Sequence, residues 1–314
     1  MRNPTEVDMK ARTVLFILGA LVSTVAMAQN NRSFVSTTGS DVNNCTAGNE
    51  CRSFTRAMAV TNPGGQILAI ASGGYGPFSI MNQSVTVAGA EGVTAAITVT
   101  SGGLGVLVNG TGVENIALRN LDFFVGGTSN TAIYAGGFKS VAIENCRLTG
   151  GGIEIVGDAA SAAMISDTVV RDAAFNAFLL QSPGVLVRCH ALDAAGYGLS
   201  VYDGVQGDGQ VSAVDFVATG CTYGVVVGCT QSGHHVTTTL DRALISSSFT
   251  DGIDSYAVSG STTNVRVSNS VVVDNGQYGF HQETFSTFSS MHNNLVVGNG
   301  SADVSGSLAP ITVY

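Results

Sequence analysis

Charge is scarce in this 314-residue chain. Asp, Glu, Lys and Arg together make up 11% of it, about half of the roughly 25% usual in soluble domains. Tryptophan is absent and proline occurs only five times. So little proline excludes collagen-like and proline-rich tracts, and a hydrophobic content of 45% excludes disorder through low hydrophobicity. The charge that is present is mostly acidic, with a formal net of -9. Such a chain is a poor ligand for nucleic acid or anionic lipid, both of which need basic patches. Long apolar runs are also missing, since residues 14–22 form the longest leader-type run, VLFILGALV. Helical periodicity is nearly absent after residue 62, which counts against βαβ folds because they need crossover helices.

The apolar run follows Lys10 and Arg12 and precedes Ala26-Met27-Ala28. A basic flank, a short apolar core and an A-x-A site predict a secretory signal peptide over 1–28, cleaved after Ala28. Even the looser stretch from Val14 to Ala28 falls short of the roughly 20 residues that span a bilayer. Starting at Met9 instead of Met1 makes a cleaner leader, free of Glu6 and Asp8. The expected product is secreted (periplasmic, extracellular or at the cell surface), with no membrane span after cleavage.

Six cysteines follow. Cys45 and Cys51 flank the polar loop TAGNE, and in an oxidising compartment this predicts a disulfide. Cys146, Cys189, Cys221 and Cys229 lack zinc-ligand spacing, and the sequence reads them as buried thiols.

Short β-rich runs recur through the rest of the chain, each closed by a small or polar residue. They include IALRN (116–120), VAIEN (141–145), AMISD (163–167), VLVRC (185–189) and VRVSN (265–269). Markers at 120, 145, 167, 189, 213, 242, 269 and 293 recur about every 25 residues. A second alternating run follows each marker, then a glycine-containing turn, then a third run such as GIEIV, YGLSVY, YGVVVG, DGIDSY or YGFHQE. Three short strands per repeat of about 25 residues are the signature of one coil of a parallel β-helix. A β-sandwich of antiparallel hairpins would not keep three strands per period over eight periods. Asn at 120, 145, 269 and 293 suits a tight corner, because Asn accepts the left-handed conformation and its amide can bond to the next coil. Asn145 and Asn269 are therefore expected to be buried and bonded.

The corner markers and coil length resemble right-handed parallel β-helix proteins of the pectin-lyase-like class. The segment 34–58, with Gly39, Asp41, Asn43 and Cys45 ahead of a second cysteine, is similar to the start of many secreted bacterial members. The resemblance implies an all-β, single-stranded right-handed parallel β-helix of about eleven coils with a short N-terminal capping helix. The expected units are 1–28 signal peptide, 29–62 entry loop and capping helix, and 63–314 β-helix. Ser53 would cap a helix burying Phe54, Ala57 and Met58, and that helix would cover the open end of the core.

Enzymes of that class usually work in a groove along one sheet. Taking the marker as the turn between second and third sheets, alternation points Ile133, Ile153, Phe178, Leu199, Val225, Ile253 and Phe280 inward on the first sheet. Tyr134, Glu154, Leu179, Ser200, Val226, Asp254 and His281 then point outward, as do Gly136, Val156, Gln181, Tyr202, Gly228, Tyr256 and Glu283. With coils about 4.8 Å apart, Asp254 should neighbour His281, and Tyr256 should neighbour Glu283. Tyr202, Asp254, Tyr256, His281 and Glu283 are thus the candidate glycan-binding face.

The catalytic motifs of the class are missing. Pectate-lyase-like members use an arginine base and acidic calcium ligands, yet no Arg or Lys falls on this face. Polygalacturonase-like members carry N-T-D, paired aspartates, G-H-G and R-I-K, and only Gly233-His234-His235 comes near. No metal or other cofactor is assigned. The one opening for calcium is Asp203 with Asp208 in the turn DGVQGDG, since hard cations take oxygen ligands. The sequence reading favours a non-enzymatic secreted β-helix that binds polysaccharide or a cell-surface glycan, or has a structural role at the surface. A polysaccharide lyase or glycoside hydrolase with a divergent active site is the alternative.

Overall fold

A computed structural model describes residues 29–100, 102–127, 131–204 and 207–311. The signal-peptide reading of 1–28 lies outside these residues. The chain winds as a right-handed parallel β-helix of three sheets. Each coil contributes one short strand to each sheet in turn, and every strand pairs in parallel with the equivalent strand of the next coil.

The first sheet runs from Phe78–Met81 to Ala302–Ser305. Its site-bearing strands are Tyr197–Tyr202, Tyr223–Cys229, Ile253–Ala257 and Tyr278–Gln282. Among the described residues this sheet and the third hold ten strands each, and the second holds twelve. That makes about nine turns, fewer than the eleven expected. The shortfall has a physical reason. The strand Asn30–Val35 pairs directly with Thr61–Ala69 in the second sheet, so the entry segment consumes residues without completing a coil.

The corners explain the repeat. A left-handed residue follows eight successive second-sheet strands, at Asn120, Asn145, Asp167, Arg188, Asp215, Arg242, Asn269 and His292, with φ between 50° and 57°. Three markers therefore move: 189 to Arg188, 213 to Asp215 and 293 to His292. A second left-handed series follows the third sheet, at Gly150, Asp172, Asp193, Gly220, Ser247, Asp274 and Gly298. The residue after each of these second-sheet corners from Asn120 to Asn269 turns inward. Cys146 and Cys189 stand there, in series with Thr168 and Ser270, and all four are buried. Each donates to the carbonyl two residues back, the hydroxyls at 2.8 and 2.7 Å and the thiols at 3.4 and 3.6 Å. Burial pushes both thiols up to about 12, so these cysteines are corner donors and not nucleophiles.

The asparagine ladder forms, but on the surface. The Asn145 amide donates to Asn120 Oδ1 at 2.8 Å, and Asn293 donates to Asn269 Oδ1 at 2.8 Å. Asn145 and Asn269 are exposed, against expectation, because a left-handed corner points its own side chain outward and its successor inward. Asn145→Leu is therefore expected to cost about 1–2 kcal/mol, chiefly for a Leu in the left-handed region, while Asn145→Gly stays near wild type. Urea unfolding of the two variants checks this; equal losses would show that backbone conformation is not the cause.

At the N-terminal end α1 (Phe54–Val60) covers the core. Ser53 Oγ accepts from the Arg56 N–H at 3.1 Å, the expected cap. Phe54 is fully buried and packs on Phe78 and Tyr75, with ring centroids 4.8 and 5.2 Å apart. Cys45 and Cys51 form the expected disulfide, with Cα atoms 4.7 Å apart. Among the described residues no helix is long and apolar enough to cross a membrane.

Candidate functional site

The inward row of the first sheet is as the alternation predicts. Ile133, Ile153, Phe178, Leu199, Val225, Ile253 and Phe280 pair in one register and are all buried. That register places Asp254 opposite His281 and lines up Tyr202, Gly228 and Tyr256. The strand ends at Gln282, one residue short of pairing Glu283 with Tyr256, although the Glu283 N–H still bonds Ser255 O at 2.9 Å.

The outward face is less open than expected. Ser200, Val226 and Asp254 are buried, Asp254 being only 6% exposed. Two flanking rows of tyrosine account for this. On one side the Tyr202 and Tyr256 rings both lean over Gly228, their hydroxyls 3.4 Å apart. A Cβ at Gly228 would sit 2.4 Å from the Tyr202 ring and 2.9 Å from that of Tyr256, so only glycine allows the rings to meet there. On the other side, at the strand starts, stand Tyr197 and Tyr223, ring edge to ring face at 5.4 Å. Phe175, 52% exposed, extends that row with its ring 5.9 Å from Tyr197. Beside Phe175 lies a hollow of about 270 Å³, lined in part by Glu154, Asn176 and Leu179.

Asp251 occupies the position of the tyrosines in its own coil. The repeat starts YG, YG, DG, YG at Tyr197, Tyr223, Asp251 and Tyr278. Substituting one aspartate into a tyrosine column is a signal visible in the sequence, and the sequence reading passed over it. The buried Asp251 carboxylate accepts the Tyr278 N–H through Oδ1 at 3.0 Å and contacts His281 Nδ1 through Oδ2 at 2.9 Å. Asp254 Oδ1 lies 3.4 Å from the same nitrogen. That approach lacks hydrogen-bond geometry, so Asp254 Oδ1 stays buried and unpartnered. The His281 ring rests on Tyr278, with centroids 4.6 Å apart.

The electrostatics follow from this crowding. Burial pushes the Asp254 carboxyl up to about 7, the Glu283 charge adds to the effect, and His281 opposes it. Burial also raises the Tyr202 hydroxyl well above the ordinary tyrosine value. Glu283 itself is exposed at the rim. Of the five residues expected to form one face, Asp254 and His281 come into contact and Tyr202 meets Tyr256. Both groups leave the outward face, with Asp254 and Tyr256 two residues apart on one strand.

The other sequence candidates hold the backbone. Asp203 is buried and accepts from the Thr230 and Gln231 N–H groups at 2.8 and 2.9 Å, while Asp208 accepts the His235 N–H at 2.7 Å. Both carboxylates fasten adjoining coils. His234 and His235 diverge, one toward Asp203 and the other onto Thr262. Arg119 pairs with Glu144 and Arg188 with Asp167 along exposed corners, where such pairs stabilise little.

This three-sheeted right-handed helix has the pectin-lyase-like fold. A pectate lyase, Pel9A, superposes with a TM-score of 0.56 at 17% identity, over 89% of this chain and 80% of that one. A rhamnogalacturonan lyase superposes with a TM-score of 0.53 at 11% identity, over 89% of each chain. No protein-family model matches the chain, and no curated protein matches it in sequence.

Proposed function

We propose that the protein is an exported, carbohydrate-directed β-helix that binds an extended glycan along its first sheet. The aromatic row Phe175, Tyr197 and Tyr223, leading into Asp251, Asp254 and His281, carries this reading. Aromatic side chains offer flat apolar surface with a polar edge, which suits the faces and hydroxyls of successive sugars. Their spacing follows the coil repeat of about 4.8 Å, so an extended polymer would run along the helix axis. The lyase names of the two structures sharing the fold support a carbohydrate ligand, and the Cys45–Cys51 disulfide is compatible with an oxidising compartment. No Arg or Lys stands in the outward rows, and the charges there are acidic apart from His281. Such a face repels polyanions, so a neutral glycan is favoured over polygalacturonate. Binding without turnover is the reading adopted, because the base and paired-aspartate motifs of the class are missing. A lyase or hydrolase with a divergent site is the second reading, favoured by one observation, the unpartnered Asp254 carboxyl beside His281.

A glycan array tests this with wild type and the double variant Tyr197→Ala/Tyr223→Ala. Wild type is expected to retain neutral polysaccharides, and the variant to bind at least about ten-fold more weakly, the equivalent of 1.4 kcal/mol. No wild-type binding, or identical binding by the variant, would remove the glycan reading. Incubation with the retained glycan, followed by chromatography of the products, separates binding from cleavage.

A further inference from the structure

We propose that Asp251, Asp254 and His281 form a three-ligand site for a divalent cation of the zinc class. The inference goes beyond the glycan reading and does not depend on it. Asp251 Oδ2, Asp254 Oδ1 and His281 Nδ1 are the atoms that would bind, and the three residues offer ligand atoms within 4.8 Å of one another. They come from two adjacent coils whose strands are locked by the Asp254–His281 register.

Two features mark this as more than an acidic cluster. Asp254 Oδ1 is a buried carboxylate oxygen with no hydrogen-bond partner, and burying such an atom is costly unless something binds it. The other two ligands are held from behind. The Tyr278 N–H fixes Asp251 by its Oδ1 and leaves Oδ2 turned to the site. The Tyr278 ring also supports the imidazole. Partners behind the ligands are what orient a metal site.

The donor set selects the ion. Zinc binds imidazole nitrogen and carboxylate oxygen at about 2.0–2.2 Å, usually in a tetrahedron, which puts neighbouring ligand atoms roughly 3.3 Å apart. The nitrogen–oxygen separations are 2.9 and 3.4 Å, so a small opening admits the ion. Calcium needs six to eight oxygens, whereas this cluster supplies two carboxylates and an imidazole. Imidazole shifts preference toward zinc and its neighbours in the first transition row. Three protein ligands leave a fourth position for water or a ligand oxygen.

The test uses the whole chain, stripped with chelator and free of glycan, so its outcome is independent of the array experiment. Calorimetric titration with Zn²⁺ should show one ion per chain, bound at least about 100-fold more tightly than Ca²⁺ or Mg²⁺. Co²⁺ should give the strong visible absorption of a tetrahedral site. Asp254→Asn and His281→Gln should each weaken Zn²⁺ binding at least about ten-fold, with the far-ultraviolet circular dichroism unchanged. Absence of stoichiometric Zn²⁺ binding, equal preference for Ca²⁺, or unchanged affinity in both variants would overturn the proposal. The last result would place the ion elsewhere, for example at His234 and His235. If a variant fails to fold, the wild-type cobalt spectrum decides, because an octahedral signature contradicts the three-ligand site.

Discussion

Phe178→Ala is expected to lower stability by about 3–5 kcal/mol, the usual cost of emptying a fully buried aromatic site. Phe178 is 0% exposed and sits mid-row on the inner face of the first sheet. Its ring packs edge to face on Phe216, with centroids 5.9 Å apart. Coils of a solenoid contact only their neighbours, so no distant element can move in to fill the cavity. Met164→Ala serves as control, because Met164 is 49% exposed on the second sheet and should change stability by about 0.5 kcal/mol or less. Urea unfolding monitored by circular dichroism gives both numbers. A loss below about 1 kcal/mol at Phe178 would mean that this row does not face a close-packed interior.

The second large effect depends on pH. In chelator-treated protein, Asp254→Asn is expected to match wild type at pH 4 and to be about 2 kcal/mol more stable at pH 8. The folded carboxyl titrates at about 7, against an ordinary 3.8, because burial favours the neutral form and Glu283 adds to it. Below pH 4 both folded and unfolded chains hold the proton, and the site has no charge to bury. Between about pH 4 and pH 7 the unfolded chain has released its proton while the folded chain keeps it. Stability therefore falls as pH rises across this window and levels off above it. The full displacement corresponds to about 4 kcal/mol at 1.36 kcal/mol per decade. Relaxation and water penetration around the charged carboxylate reduce this to the smaller figure. Asparagine cannot ionise, so the variant should lack this part of the slope. Parallel pH profiles for the two proteins would show that Asp254 is not held neutral by its surroundings.

Much of the fold was legible because a β-helix repeats its local physics in every coil. The corner needs a residue that accepts positive φ, and Asn120, Asn145, Asp167 and Asn269 advertise it. The inner face needs apolar side chains, and the alternation from Ile133 to Phe280 sets the register that brings Asp254 against His281. Errors arose where the local signal is degenerate. Arg188 and His292 do not announce a left-handed corner and the marker before Asp215 was read at Ala213, so the markers there slipped by one or two positions. Asn145 and Asn269 were expected inside because buried asparagine ladders satisfy backbone groups. At these corners the following residue, Cys146 or Ser270, turns inward instead.

By itself, then, the sequence determined the repeat, the three-strand coil, the inward row, the α1 cap and the Cys45–Cys51 bond. Each depends on residues within about one coil of each other, where periodicity and chemistry are read directly. The site was decided by the tertiary structure. Contact between Asp251 and His281 spans 30 residues and runs diagonally between coils, so it depends on coil length as well as on alternation. The burial of Asp254 depends on side chains from several coils crowding one strip, including the Tyr202 and Tyr256 rings that meet 54 residues apart over Gly228. Alternation says which way a side chain leaves its strand; only the packed neighbours decide whether water still reaches it, and that decides its charge.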